Sequence, residues 1–202
     1  MSLACTLRVS GRQWNVTARE CVRVSSHRLV LDQIMTKFKL AGSGVVVTFE
    51  ADEVAVLRDL SRQITQVLDG GVPDHGSDAV RDRLFPRAYV DPTEDRAERD
   101  FQSVVHEDLV RAKAHAIEAL ISGLDTGRDR RGRLDVSLSD KDVQQWVGAL
   151  NDVRLALGVT LGVTEDHDEV ADDDPQASGF GLYHWLTYVQ STLVDVLMAG
   201  LT

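Results

Sequence analysis

The stretch Leu134-Asp135-Val136-Ser137-Leu138-Ser139-Asp140-Lys141-Asp142-Val143-Gln144-Gln145-Trp146 changes its hydrophobic period half-way. Leu134, Val136 and Leu138 alternate with polar residues, which puts all three on one face of a short strand. Val143, Trp146, Leu150, Val153 and Leu157 then recur at helical spacing, which predicts a helix to about Leu161. Between the two, Ser139 and Asp142 have the spacing of a capping box in which Asp replaces the usual Glu. The order of strand, cap and helix also occurs earlier. Val47-Thr48-Phe49 closes a β-branched run that starts at Val45, acidic residues follow, and Val54 and Leu57 open a helical stripe. If the echo is structural, the two strands pair as a ribbon that ties two halves of a helical bundle together. Coincidence explains it equally well, because capped helices share these residue types.

The remaining elements read mostly as helix. Val54, Leu57, Leu60, Ile64 and Val67 form the stripe of a helix over roughly 52–69, stopped by Asp69-Gly70-Gly71. Ser77 could cap a short helix through Leu84, ending at Pro86. Thr93 reads as the N-cap of a helix reaching Ser122, with the stripe Phe101, Val105, Leu109, Ala112, Ala116 and Leu120. Gly123 to Gly132 reads as a polar loop. The last helix, about 181–199, is apolar around most of its circumference, and its reading is that of a central core helix. The expected fold class is mainly α: a helical bundle with a small two-stranded β element and an N-terminal basic arm or hairpin.

A chain of 202 residues and 22.3 kDa, 43% apolar and 27% charged, has the composition of a globular protein with a real core. Charge divides it. Residues 1–36 hold Arg8, Arg12, Arg19, Arg23 and Arg28 against Glu20 and Asp32, a balance of +3, so a formal net charge of −10 leaves −13 on residues 37–202. The expected organisation is a basic arm over 1–36 and an acidic helical domain over 37–202. In the arm, Leu3, Cys5, Leu7 and Val9 alternate, Ser10-Gly11 signals a turn, and Trp14 and Val16 resume the alternation, so a hairpin or partial disorder is expected. No apolar run is long enough for a membrane span, and no signal-peptide layout opens the chain, which places it in the cytoplasm. An acidic chain repels phosphate overall, so any contact with DNA needs a local basic patch.

The motifs of phosphate-loop, dinucleotide, serine-hydrolase and zinc-protease chemistry are absent. His27, His75, His106, His115, His167 and His184 are scattered, and the acidic run Glu165 to Asp174 lacks the turn glycine of a calcium loop. The expectation is a non-enzyme without metal or cofactor. Two features carry chemistry. Fifteen residues separate Cys5 from Cys21, enough chain to bring the sulfurs together. In an extended segment Arg19 and Arg23 point the same way as Cys21, and two guanidinium groups favour its thiolate. Cys21 is then the attacking thiol and Cys5 the resolving one; the alternative is two unreactive small residues. The second feature is Arg128-Asp129-Arg130-Arg131-Gly132-Arg133, a Gly-bounded loop. Arg128, Arg130, Arg131 and Arg133 suit a wing that touches DNA phosphates, joined by Arg8 and Arg12 if the arm folds back. A solvated loop is the commoner outcome for such a run.

The body resembles an actinobacterial family of uncharacterised domains often encoded beside the adaptor of the Clp protease. The resemblance rests on Phe49-Glu50-Ala51-Asp52-Glu53, Leu57-Arg58-Asp59-Leu60, Arg83 to Tyr89, Ala149 to Gly158, and His184-Trp185-Leu186-Thr187, within roughly residues 40–200. It implies a redox-switched transcriptional regulator acting with an RNA polymerase sigma factor on thiol-metabolism genes, with promoter DNA as partner and a Cys5–Cys21 disulfide formed under oxidative stress. Met35 stands directly before the shared part, and translation from there would remove both cysteines. A homodimer through the apolar helices is a further expectation. The competing reading is an acidic helical adaptor for a protease or polymerase, without DNA binding or redox switching. An enzyme would need a polar pocket around Asn151, Arg154 and His184.

Overall fold

The computed structural model describes residues 4–9, 12–17, 36–42, 44–70, 77–163 and 176–199. Strands β1 (Ala4–Val9) and β2 (Arg12–Thr17) form an antiparallel hairpin with Cys5 in register with Val16, as the alternation predicts. The body follows as β3 (Lys37–Ala41), β4 (Gly44–Glu50), α1 (Ala51–Leu68), α2 (Ser77–Leu84), a 3-10 turn (Pro92–Glu94), α3 (Asp95–Thr126), β5 (Arg128–Arg130), β6 (Arg133–Ser139), α4 (Asp140–Leu161) and α5 (Ala177–Ala199). The expected two-stranded β element is corrected. The body holds a four-stranded antiparallel sheet of order β3-β4-β6-β5, so the chain is mainly helical without being all-α. Both unforeseen strands are edges made of charged residues, Lys-Phe-Lys and Arg-Asp-Arg, a composition that blunts sheet edges and hides them from a hydrophobic pattern.

The expected ribbon is the centre of this sheet. β4 pairs directly with β6, with Val47 opposite Val136 and Phe49 opposite Leu134. Val45, Val47 and Phe49 of one strand and Val136 and Leu138 of the other are buried on the same face. Each strand runs straight into a capped helix. Glu53 accepts the Glu50 N–H at 2.8 Å at the start of α1. Asp142 accepts the Ser139 N–H at 2.9 Å at the start of α4, while the Ser139 hydroxyl oxygen accepts the Asp142 N–H at 3.3 Å. The Ser139 hydroxyl and N–H hold the Asp142 carboxyl below its ordinary pKa.

The helix at the centre is α4, not the last helix. Its buried face carries Val143, Trp146, Ala149, Leu150, Val153, Ala156, Leu157 and Leu161, and α1, α2, α3 and α5 all pack against it. Strong hydropathy led to α5, but α5 lies on one side, with Tyr188, Val194 and Met198 exposed. The stripe expected on α3 divides. Ala116 and Leu120 are buried, as are Ile117 and Leu124, whereas Phe101 and Leu109 are at least 40% exposed and Val104 is 74% exposed. Thr93 does not cap α3. Asp91 accepts its N–H and hydroxyl, both at 2.8 Å, and this closes the 3-10 turn that precedes the helix.

Helix α3 also extends past Ser122 into the expected loop, because Gly123 lets it approach the core aromatic pair. Phe49 stacks on Trp146, with centroids 6.0 Å apart and planes at 24°. A Cβ on residue 123 would lie 2.8 Å from Trp146 Cζ2, and the Trp146 ring is fully buried. Gly123→Ala therefore forces overpacking that outweighs the gain in helix propensity, and a net loss of about 1–2 kcal/mol is expected. Urea denaturation followed by tryptophan fluorescence checks it; an unchanged midpoint would show that the ring has room to shift.

Candidate functional site

Alternation decides what the sheet shows to solvent. With Val45, Val47, Phe49, Val136 and Leu138 turned inward, the opposite face takes Val46, Thr48 and Glu50 from β4 and Arg133, Asp135 and Ser137 from β6. The edge strands follow the same parity. Lys37 is opposite Thr48 and Lys39 opposite Val46, while Arg128 is opposite Asp135 and Arg130 opposite Arg133. Five cations thus share one face with two carboxylates, in a chain of net charge −10. Lys37 and Lys39 escaped the sequence reading, though the Lys-Phe-Lys alternation carried the signal.

The two carboxylates are engaged. Glu50 binds Arg133 Nε at 2.6 Å, and Asp135 binds Arg130 Nε at 3.2 Å while accepting the Thr48 hydroxyl at 2.7 Å. Among the described residues, Lys37, Lys39, Arg128 and Arg131 have no carboxylate oxygen within 4 Å. A shallow concavity of about 500 Å³ lies on this face, lined by Lys39, Arg128, Arg130, Thr48, Asp135 and Ser137, with the end of α3 at its rim. Arg58 meets that helix end. Its Nη2 donates to the Leu124 carbonyl at 2.9 Å and bridges Asp125 at 2.9 Å, offsetting the partial negative charge of the C-terminus.

The arginine run, read as a loop with a wing as one alternative, is a hairpin of β5 and β6. Arg131 and Gly132 form a two-residue turn between β5 and β6 with φ of 58° and 84°. Positive φ at both positions is the requirement of the turn type that matches strand twist. Arg8 and Arg12 lie on β1 and β2, as does Cys5 on β1. Cys21 with Arg19 and Arg23, Arg28, and the acidic run at 165–174 lie outside the described residues.

Where residues 1–35 join the body, the chain is anchored. Thr36 is only 4% exposed. Its hydroxyl accepts from Trp185 Nε1 at 3.1 Å and donates to Glu53 Oε1 at 2.7 Å. Burial pushes the Glu53 carboxyl pKa up, and the Glu50 N–H and the Thr36 hydroxyl pull against it.

Asn151, Asp152 and Arg154 tie helices together. Asp152, 3% exposed, pairs with Lys113 of α3 at 2.7 Å. Arg154 Nη1 donates to the Tyr183 hydroxyl at 3.1 Å, and Gln190 Nε2 donates to Asn151 Oδ1 at 3.5 Å, both between α4 and α5. Among the described residues no three His, Cys, Asp or Glu side chains stand close enough to hold a metal ion. No helix of the described residues is long and apolar enough to cross a membrane.

Residues 35–197 match the family model described as a domain of unknown function, DUF2017. The chain belongs to the DUF2017 family. The matched region opens one residue before Thr36, where the body is anchored. Proteins from Mycobacterium bovis and Mycobacterium tuberculosis, each named "Oxidative stress regulator AosR", are 32% identical over 202 residues, covering 94% of this chain and 89% of their own. A relative from Mycobacterium leprae is 35% identical over 129 residues, 63% of this chain and 56% of its own. No solved structure matches.

Two outcomes follow for the DUF2017 body. Arg131→Asn relieves the left-handed strain at the hairpin tip, and thermal denaturation is expected to show a gain of about 0.5–1 kcal/mol. Burial raises the Asp152 pKa above the ordinary 3.8, with Lys113 pulling the other way. The native state therefore holds this proton more tightly than the unfolded chain. Its stabilising effect is complete below the unfolded pKa and fades as pH rises through the folded one. The stability advantage of wild type over Asp152→Asn is expected to shrink from about pH 4 upward, measured by melts of both proteins across that range; an advantage that grows with pH would reverse the sign.

Proposed function

We propose that this chain is a cytoplasmic, non-enzymatic regulator of transcription that responds to oxidative stress. The observation that carries the reading is the 32% identity over 94% of the chain to proteins named as oxidative stress regulators. That coverage extends the match well into residues 1–34, which the family model leaves out and which hold both cysteines.

The proposed switch is a disulfide. The Cys21 thiolate attacks one oxygen of hydrogen peroxide. The S–O bond forms as the O–O bond breaks, and the departing hydroxide takes a proton to leave as water. The Cys5 thiolate then attacks the Cys21 sulfenic sulfur, and the hydroxyl leaves as a second water. Two thiols lose two electrons and two protons in all, and peroxide gains them. Closing this loop restricts the unfolded arm by roughly 3 kcal/mol in the chain-entropy model, so the bridge acts on an arm whose states are already near balance. The arm and the basic hairpin residues Arg8, Arg12, Arg128, Arg130, Arg131 and Arg133 then meet promoter DNA together with an RNA polymerase sigma factor.

A second reading is an acidic helical adaptor without DNA binding or redox switching. The apolar side chains that α3 leaves exposed, Phe101, Val104 and Leu109, favour it, because they suit a protein surface or a second copy of the chain.

Alkylation with iodoacetamide before and after peroxide, read by intact mass, separates the two. The regulator reading expects both thiols blocked in the reduced protein. After peroxide it expects none blocked and a mass lower by two hydrogens, and Cys5→Ser is expected to abolish the bridge. Two alkylated thiols after peroxide would reject the switch.

A further inference from the structure

We infer that the outer face of the four-stranded sheet docks the phosphate backbone of duplex DNA, with Lys37 and Lys39 on one edge strand acting with Arg128 and Arg130 on the other. The inference deepens the regulatory reading and rests on it for DNA as the partner.

Four observations point to phosphate. The body is acidic, and this face concentrates five cations against two carboxylates, each already bound to an arginine. Lys37, Lys39 and Arg128 are exposed, so they meet a phosphate with little desolvation and with release of the counterions around DNA. The cations form two rims. Three strand spacings of about 4.8 Å put β3 and β5 about 14 Å apart. Between them lies the concavity of about 500 Å³, whose floor holds Val46, Thr48 and Ser137 and one carboxylate, Asp135, already taken by Arg130 and the Thr48 hydroxyl.

The same face argues against single strands. Sheets that bind single-stranded nucleic acid present aromatic side chains on which bases stack. Here the aromatic residues of β3 and β4 are turned to the other side. Phe49 is buried on Trp146, and Phe38 packs edge-on against Tyr188 at 6.0 Å. What remains outside offers charge and hydroxyls, which contact phosphate and carry no base readout. The Arg131–Gly132 turn extends the β5 rim with one more cation.

The experiment is fluorescence anisotropy of a short fluorescein-labelled duplex of arbitrary sequence, titrated with the full chain at graded KCl, in reduced and peroxide-treated preparations. Wild type is compared with Lys37→Ala/Lys39→Ala and with a control, Arg96→Ala/Arg111→Ala, on the exposed face of α3. All four positions are exposed, and circular dichroism melts confirm that the variants fold. The dependence of log affinity on log salt is expected to become shallower by roughly 2 in the double-lysine variant, about 0.9 per lost phosphate contact, and to stay unchanged in the control. A duplex that binds wild type and the lysine variant with the same slope would overturn the sheet face while leaving DNA binding in place. No binding to duplex in either redox state would overturn it together with the DNA part of the regulatory reading. Displacement of weak duplex binding by poly-glutamate, with tighter affinity for the peptide, would reassign the face to an acidic protein and overturn it as well.

Discussion

The pairing of Val47 with Val136 is the constraint on which the body is built. Register places each residue of β4 opposite its partner in β6, and this pair is also where the two strand–cap–helix units correspond in sequence. Glu50 and Ser139 hold the same place before their helices, as do Glu53 and Asp142 one turn in. An antiparallel pair centred on equivalent residues relates the two units by a local two-fold axis. Once the strands are paired, the starting points and directions of α1 and α4 are set. Phe49 and Trp146 then close the core between the units. The remaining elements fill in around this arrangement: α3 and α5 flank α4, and the edge strands extend the ribbon while adding the half-buried Phe38 to its inner face.

This explains which parts were legible in the sequence. The strand–cap–helix units read clearly because a period of two, a capping residue and a period of 3.6 follow one another without a gap. Helices α1 and α4 came out within a residue or two for the same reason. The edge strands did not, because Lys37 to Ala41 and Arg128 to Arg130 bury almost nothing, and their strand character comes from pairing with the apolar strand that follows each. Hydropathy also misplaced the centre. α5 is the more apolar helix, but position depends on how many sides are packed, and the alanines and Gly148 of α4 allow neighbours to approach it closely. The apolar stripe of α3 gave the right periodicity and the wrong environment: only its C-terminal half lies against the core. For the candidate site the arginine run was evident, whereas Lys37 and Lys39 joined it only once β3 was paired with β4.

Charge distribution follows from the same architecture. A helical bundle spends its polar residues on helix exteriors, where acidic residues outnumber basic ones here, and the run at 165–174 adds seven carboxylates towards the net −10. The outer face of the sheet is the exception, since its edges use Lys and Arg to avoid pairing with other strands. A device that protects a sheet edge therefore also creates a cationic surface on an acidic protein. Arg131, held at positive φ where Asn or Gly would be easier, is harder to attribute to edge protection alone, because a charge at the tip of a two-residue turn shields no free strand edge.

The root of the arm links this surface to the proposed switch. Thr36 is held from two sides, by Trp185 of α5 and by Glu53 at the start of α1, and the next residue in the chain is Lys37. Two hydrogen bonds in a buried setting contribute about 1 kcal/mol each, and disulfide closure acts with roughly 3 kcal/mol. Neither is large enough to repack a core in which Val47, Phe49, Leu57, Trp146 and Leu150 are fully buried. Whatever a bridge in the arm changes must therefore be expressed at the surface next to the anchor, where Lys37 and Lys39 form one rim of the sheet face. A rigid body with a pinned entry point turns a change in the arm into a change in what lies beside that rim, and the fold of the body need not alter for the signal to be read.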